Sequence, residues 1–511
     1  MNAFFSNNKI TGIFALLLAA LLLLSAAGCG RAPEEEEDTS APVETTAPAI
    51  PEGSITAPYT ALDSLNPFFT ETLLNFSLIS LVYDSLYYLD GGFTPVPCIA
   101  EDCTAADLTL RVTLVDALVF SDATPVSAAD VVYSFTKAKE APLYKQTLKN
   151  VLTCEADGAR TVTFTLESPD VNAVNVLTFP IVKTGTAETE DMRPVGSGFY
   201  KYMRDSLRIY MEYNLKHVGG IPEIGTVRLR EVNESDTLMH QLNTGSVDCF
   251  FTDMADGIAK HSYAGVNDIY LNNLVFLGVN HASAMLYHAD LRRAVSLAVS
   301  RVSLVENAFM SHARAAVFPF NASWDALSGL PEPNYAKYES DPNAADALLA
   351  TLQAGTGGGP LYYNLIVQEN NNFLLQAAQQ IAEQLAMVNL NVTVNTLSDD
   401  DFRTALREGA FDFYLSEIKL TKNMDLSPFF SYDGAASWGL TPSELEIDDL
   451  YSRYRSGETE LSAFLEAFDT EMPFIPLVYR NGQFCYSRNI KSGVAATEDR
   501  LFMNVAEWTL G

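Results

Sequence analysis

The sequence predicts a mixed α/β protein built as more than one domain. Three observations carry this: short segments trade apolar and polar residues at period two, helix signals sit between them, and 511 residues with 48% hydrophobic content exceed what one core usually organises. The alternating segments are Leu108 to Leu114 (LTLRVTL), Thr161 to Leu166 (TVTFTL), Gly225 to Arg230 (GTVRLR) and Leu390 to Val394 (LNVTV), each read as a strand with one buried face. Ser127-Ala128-Ala129-Asp130 has the spacing of a capping box, which opens a helix through Lys139. Asp341-Pro342 supplies an N-cap with proline at the first helical position, ahead of Ala344 to Leu349. Asp290 is the expected N-cap of a further helix. There Leu291, Ala294, Val295, Ala298, Val302 and Val305 recur at helical spacing, with Arg292, Arg293, Ser296 and Ser300 on the other face. The Gly-rich stretch Ala354 to Pro360 reads as an exposed connection before a strand, Leu361 to Val367. No Lys-Ser/Thr follows it to complete a phosphate-binding loop.

At the N-terminus, Met1 to Arg31 places one basic residue, Lys9, before an apolar run from Ile13 to Ala27 that closes on small residues at Cys29. That run is shorter than the roughly 18 to 20 apolar residues of a bilayer span, so residues 1–28 read as an export signal. Ala26-Ala27-Gly28-Cys29 resembles the bacterial lipobox, with Ala26 where leucine is usual. The resemblance implies that the Cys29 thiol is acylated and anchors the chain in a lipid bilayer, outside the cytoplasm, at the cell surface or in the periplasmic space. Residues 29–53, with RAPEEEEDTSAPVETTAPAIPEG from Arg31 to Gly53, hold almost no large apolar side chain and read as a disordered tether. The globular part then starts at Ser54.

The formal net charge of -32 opposes nucleic acid and anionic lipid surfaces as binding partners. Of the 6 Cys, Cys29 is assigned to lipid, and Cys98, Cys103, Cys154, Cys249 and Cys485 form no disulfide framework; free buried thiols are expected. The 6 His show no tight ligand pair, so no metal site and no cofactor is expected; His281 and His288 read as loop and surface residues. Neither a GxSxG elbow nor an HExxH helix is present, and the expectation is a protein without enzymatic chemistry.

Several segments, in order, resemble the bacterial extracellular solute-binding proteins, family 5, which serve peptide and nickel ABC importers. Ser64-Leu65-Asn66-Pro67 resembles the family's "LNP", Leu81 to Gly91 its "iyegLv..D..G", and Pro97 to Asp102 (PCIAED) its "P.LAe.W" with Cys103 in place of the Trp. Val119 to Phe135 (VFSDATPVSAADVVYSF) is the longest, matching at Asp122, Pro125, Ala128, Asp130, Val131 and Ser134. Pro194 to Tyr200, Asp290 to Arg301, Tyr338 to Leu349 and Met472 to Tyr479 (MPFIPLVY) continue the series. The resemblance implies a two-lobed periplasmic-binding-protein-like fold of the cluster C type with two crossing segments as a hinge. Lobe one is expected at 54–279 with a return at 476–511, and lobe two at 280–475. It implies a substrate-binding lipoprotein that closes on a small peptide and delivers it to an ABC permease in the membrane. The alternatives are the same fold holding an oligosaccharide, an opine-like compound or a nickel or other metal chelate, or a peptide-sensing or chaperone lipoprotein.

In peptide-binding members a lobe-two carboxylate pairs with the ligand's free amine inside a segment that Phe411 to Phe430 (FDFYLSEIKLTKNMDLSPFF) resembles, without its Trp and first Asp. Asp425 and Glu417 are the candidates, and Lys419 between them is placed to neutralise either; helix capping is the competing role for Asp425. Trp438 is a candidate cleft wall, with core packing as its alternative. Phe68 and Phe69, after Asn66-Pro67, and Ser197, in the Gly196-Ser197-Gly198 turn, complete the ligand-binding set. Arg403 and Arg407 are read as a solvated helix face.

Overall fold

The structure, a computed structural model, describes residues 49–260, 265–328, 330, 340–354, 359–441 and 446–511. The export signal, Cys29, most of the tether and the centre of the Gly-rich stretch lie outside the described residues. Ile50–Gly511 forms one compact unit.

That unit is two-lobed, and its two large hydrophobic cores show where each lobe sits. The first core gathers residues from Ile55 to Leu271 and again from Phe484 to Trp508. The second gathers Leu274 to Tyr479, joined by Leu89, Phe93 and Met254. Two long antiparallel strands, Gly265–Val279 and Ile475–Tyr486, run through both cores and pair along nearly their whole length. They are the crossing segments. The pairing slips at the change of core, where Tyr270 stands opposite Asn481 and Asn273 opposite Arg480, so Leu271 and Asn272 have no partner on the second strand; a second slip follows between Val275 and Phe276. A bulge of this kind bends a strand and re-aims its side chains.

Lobe one carries two four-stranded sheets. One runs Gly53–Tyr59, Ile224–Glu231, Ile209–Tyr213, Tyr200–Arg204, its first pair parallel; the other, fully antiparallel, runs Ala100–Ala106, Thr109–Leu114, Thr161–Leu166, Val151–Ala156. Thr109–Leu114 and Thr161–Leu166 alternate buried and more exposed positions as their sequences predict. In lobe two the crossing strands extend into a sheet with Phe413–Lys419, Leu361–Gln368 and Leu390–Leu397, the last three parallel among themselves. The capping box holds, with Ser127 N–H donating to Asp130 Oδ2 at 2.9 Å ahead of the helix Ala128–Glu140. Asp341 likewise accepts from Ala344 N–H at 2.9 Å, ahead of Pro342–Gln353.

The helix expected from Asp290 departs from its sequence reading. It runs Ala289–Ala298 with His288 as N-cap, so Asp290 lies in its first turn. It stops before Val302, which is 56% exposed, and resumes as a short helix, Arg301–Ser303, followed by a π turn. Arg292 and Ser296, placed on a solvated face by periodicity, are buried. The Arg292 guanidinium reaches the carbonyls of Leu286, Tyr287, Glu471 and Met472, and these bonds make its burial tolerable. His281, read as a loop and surface residue, is also buried: its imidazole sits between Thr441 Oγ1 at 3.2 Å and the Pro473 carbonyl at 3.0 Å. Cys98 and Cys103 are free but half-buried, whereas Cys154, Cys249 and Cys485 are free and buried.

Candidate functional site

A cavity of about 650 Å³ opens where the crossing strands change core, and its walls come from both lobes. Leu73, Phe76 and Tyr144 line it from the lobe-one side, Phe93 and Leu420 from the second core, and the bulge of Leu271 and Asn272, with Asn273 after it, lies between them. Its volume is that of sites which enclose small ligands, and apolar walls with a few convergent polar groups are what such sites require. Through Asp268, Tyr270 and Ala496 it shares its lining with an adjoining space of about 710 Å³.

Burial of polar groups inside this cavity follows from the bulge. With no strand partner in register, the Asn272 carbonyl instead accepts from Leu420 N–H at 2.8 Å, and its side-chain amide donates to the carbonyls of Leu420 and Thr421 at 3.3 and 3.0 Å. That arrangement pins the lobe-two loop after Phe413–Lys419 against the first crossing strand. Asn273 donates its amide to Glu417 Oε1 at 2.5 Å. The Oδ1 atoms of Asn272 and Asn273, and Nη1 of Arg480, are buried without a hydrogen-bond partner among the described residues.

Charge in the cavity is paired across the lobes. Lys422 touches Asp499 and donates to Thr178 Oγ1 at 2.6 Å, while Asp499 also accepts from Leu89 N–H at 2.9 Å. Burial pulls the Lys422 ammonium down from the ordinary lysine range, and the Glu498 carboxylate pulls it back. Lys419 pairs with Glu498, which holds it above the ordinary range against the opposing effect of burial. This corrects the expectation that Lys419 neutralises Glu417 or Asp425.

At the rim, a second set of contacts joins the lobes. The Asp170 carboxylate, from lobe one, touches Arg455 and accepts from Asn423 Nδ2 at 2.7 Å. Val171 N–H donates to the Arg455 carbonyl at 2.9 Å. Asn175 Nδ2 donates to the Lys422 carbonyl at 3.2 Å.

None of the six ligand residues expected from sequence lines the interlobe cavity. Asp425 accepts from Ser427 N–H at 3.0 Å and from Ser427 Oγ at 2.6 Å, lies 3.6 Å from Arg455 Nη1 and takes the Tyr451 hydroxyl at 3.2 Å. Glu417 is held by both arms of the Arg480 guanidinium at 2.7 Å, a fork-to-fork pair that leaves it little capacity for a ligand amine. Trp438 packs half-buried against the second core and donates its indole N–H to the Ala435 carbonyl at 3.1 Å. Phe68 is buried edge-on to Tyr144 at 6.4 Å, and Phe68 and Phe69 line a separate cavity of about 840 Å³ formed by lobe one. Ser197 is 1% exposed and gives its hydroxyl to Asp84 Oδ2 at 2.9 Å. The close approach afforded by its flanking glycines is to the chain itself: a Cβ on Gly196 would stand 2.1 Å from the Val82 carbonyl oxygen.

Sequence reasoning passed over Asp253, Asn272, Asn273, Lys422, Glu498 and Asp499. One signal was available: Asn272-Asn273 interrupts the apolar part of the strand, between Leu271 and Leu274. Two adjacent amides in a buried strand demand partners that the ladder does not supply.

Comparison with known proteins adds to this geometry. The family described as "Bacterial extracellular solute-binding proteins, family 5 Middle" matches residues 94–438. A protein of Escherichia coli K12 named as a probable D,D-dipeptide-binding periplasmic protein, DdpA, is 23% identical over 281 residues. That match covers 47% of this chain and 54% of DdpA, so it spans about half the length of that relative. Among solved structures, the ABC transporter substrate-binding protein CtaP from Listeria monocytogenes superposes with a TM-score of 0.71 at 16% identity, over 90% of this chain and 99% of that one. NikA from Brucella suis in complex with Fe(III)-EDTA gives a TM-score of 0.67 at 16% identity, over 89% and 100%.

Proposed function

The chain belongs to the bacterial extracellular solute-binding proteins, family 5, and on that premise we propose that it is the lipid-anchored substrate-binding component of an ABC importer. It captures peptides between the lobes by hinge closure and delivers them to a membrane permease. The observation that carries this reading is the cavity at the crossing strands, whose lining comes from both cores. A ligand there touches both lobes only when they are together, so its binding energy favours the closed form that a permease can recognise. In this reading lobe one runs to about Leu271 and resumes near Gln483, with lobe two between, and Cys29 carries the lipid. The name of DdpA, a probable D,D-dipeptide-binding protein, supports a peptide cargo.

A second reading keeps the fold and replaces the peptide with a metal chelate or another non-peptide solute, and the likeness to NikA holding Fe(III)-EDTA favours it. Among the described residues no group of three or more His, Cys, Asp or Glu is placed to hold a metal ion, so a metal would arrive already complexed. Native mass spectrometry of the full chain, set against its denatured mass, tests the two. A ladder of adducts that fragment as short peptides is expected. A single non-peptide adduct overturns the peptide reading.

A further inference from the structure

We infer that the interlobe cavity selects ligands that carry an apolar side chain, aromatic or branched aliphatic, and that Leu73, Phe76 and Leu143 receive it. This rests on the cavity being the ligand site. The first line of argument is the one-turn helix Leu73–Phe76, which is packed with its polar residue inward. Asn75 is 1% exposed and its side chain is fully occupied: Oδ1 accepts Thr60 N–H at 2.9 Å, and Nδ2 donates to the carbonyls of Thr60, Asp63 and Ser64 at 3.0 Å. Asp63 Oδ2 adds a second anchor by accepting from Thr72 N–H at 2.9 Å. Leu73 and Phe76, by contrast, line the cavity only half-buried, and Leu143 does the same from the turns that follow Ala128–Glu140. A helical turn pinned by its polar side cannot rotate to hide its apolar residues. The ordinary arrangement is the reverse, with the amide outside and leucine and phenylalanine within, so this wall is apolar surface held in place for a partner to cover. The lining from the second core is apolar too, at Phe93 and Leu420, so a side chain seated here is covered from both lobes.

The second line is charge. The charged groups of the lining are already answered within the protein: Lys419 pairs with Glu498, Lys422 with Asp499, and Asp268 meets His312 at 3.2 Å. Asp253 lies in the field of Lys419 and Arg480, and Asp90 Oδ1 accepts the N–H groups of Gly92 and Thr94 in its own turn. Glu71 is exposed to solvent. A charged ligand side chain entering this space gives up its water and must compete with a pair already made, and breaking a desolvated pair is costly. An apolar side chain makes no such demand and gains with the area it covers. Both effects favour the apolar ligand.

Isothermal titration calorimetry on the full chain, with Ala-Phe-Ala, Ala-Leu-Ala, Ala-Ala-Ala, Ala-Glu-Ala, Ala-Lys-Ala and indole as probes, tests this. The five tripeptides share one backbone and differ in the central side chain alone. Ala-Phe-Ala and Ala-Leu-Ala are expected to bind roughly tenfold or more tightly than Ala-Ala-Ala, and the two charged tripeptides no more tightly than Ala-Ala-Ala. Phe76→Ala and Leu73→Asn should each remove most of that preference, while Phe76→Leu retains it. Equal affinity for the five tripeptides, or tightest binding of a charged one, would overturn the inference and leave the peptide reading standing. A preference untouched in both Phe76→Ala and Leu73→Asn would overturn the assignment of this wall. Indole binding without any tripeptide would overturn the peptide reading and uphold the apolar wall, and no binding of the six probes would overturn both readings.

Discussion

Replacing Asp170 with asparagine should open the cleft. The Asp170 side chain is 1% exposed and that of Arg455 12% exposed, so the pair is desolvated where the lobes meet. Asp170 Oδ1 accepts from Asn172 N–H at 2.9 Å and Oδ2 from Asn423 Nδ2, contacts that an asparagine can partly retain. What it loses is the charge facing Arg455. Removing one partner of a buried pair costs about 3 to 5 kcal/mol, because the other charge stays buried and uncompensated. Arg455 keeps the Tyr451 hydroxyl at 3.0 Å, the Asn423 carbonyl at 3.2 Å and the Asp425 carboxylate at 3.6 Å, so the low end, about 3 kcal/mol, applies. That cost falls on the arrangement with the lobes in contact, since separation returns the guanidinium to water. The ratio of closed to open molecules should then drop by roughly 150-fold. Small-angle X-ray scattering reads this as a larger radius of gyration without loss of secondary structure. Arg455→Met should act in the same direction by stranding Asp170, and the double variant should return toward the wild type because neither charge is left buried. Superposable scattering curves for the wild type and both single variants, or single effects that simply add in the double, would refute the reasoning.

Three further outcomes follow from buried groups and backbone strain. Burial, reinforced by Arg292 and opposed by the Pro473 carbonyl, holds His281 down to about 4. Unfolded chains therefore take up a proton that the folded chain refuses, and about 3 kcal/mol of stability present above pH 6.5 should drain away as the pH falls toward 4. Urea unfolding across that range should show the slope, and His281→Gln should flatten it. Glu417→Gln should cost about 3 kcal/mol in the same assay, because Arg480 is 1% exposed and depends on both of its bonds to that carboxylate; an unchanged midpoint would show the pair to be dispensable. Gly439→Ala should destabilise by more than about 1 kcal/mol, since its φ of 75° is joined by a Cβ position 2.7 Å from Asn280 Cα. Gly245→Ala, at φ 72° with nothing within 4 Å, should cost less, and equal losses would rule out the clash.

The legible parts of this fold were the ones fixed by local periodicity. Thr161–Leu166 appears at its expected bounds because alternate residues must face a core, and the capping box at Ser127 and the N-cap at Asp341 are local by nature. The misread positions are those whose partners lie far along the chain. Arg292 was placed in solvent because its burial depends on carbonyls at Glu471 and Met472, and His281 because its partners are Thr441 and Pro473. The site suffered in the same way. Family resemblance drew attention to Glu417 and Asp425, yet Arg480 and Arg455, both remote in sequence, occupy them, and no pattern around either acid foretells that.

The crossing point explains why polar residues gather there at all. A strand shared by two lobes must bend without breaking its ladder, and the Leu271–Asn272 bulge already stands out of register with Ile475–Tyr486. Its backbone is satisfied from elsewhere instead: the Leu271 carbonyl by Asn321 Nδ2 at 2.9 Å and the Asn272 carbonyl by Leu420 N–H. Rotation of one lobe on the other can thus be absorbed at two residues while the paired segments on either side stay intact. The weakest tie at that point is the 3.4 Å contact from Asn272 N–H to Glu498 Oε2, which joins the bulge to the returning chain of lobe one. Motion at the bulge therefore moves Asn272, which lines the cavity, relative to the Glu498 and Lys419 pair.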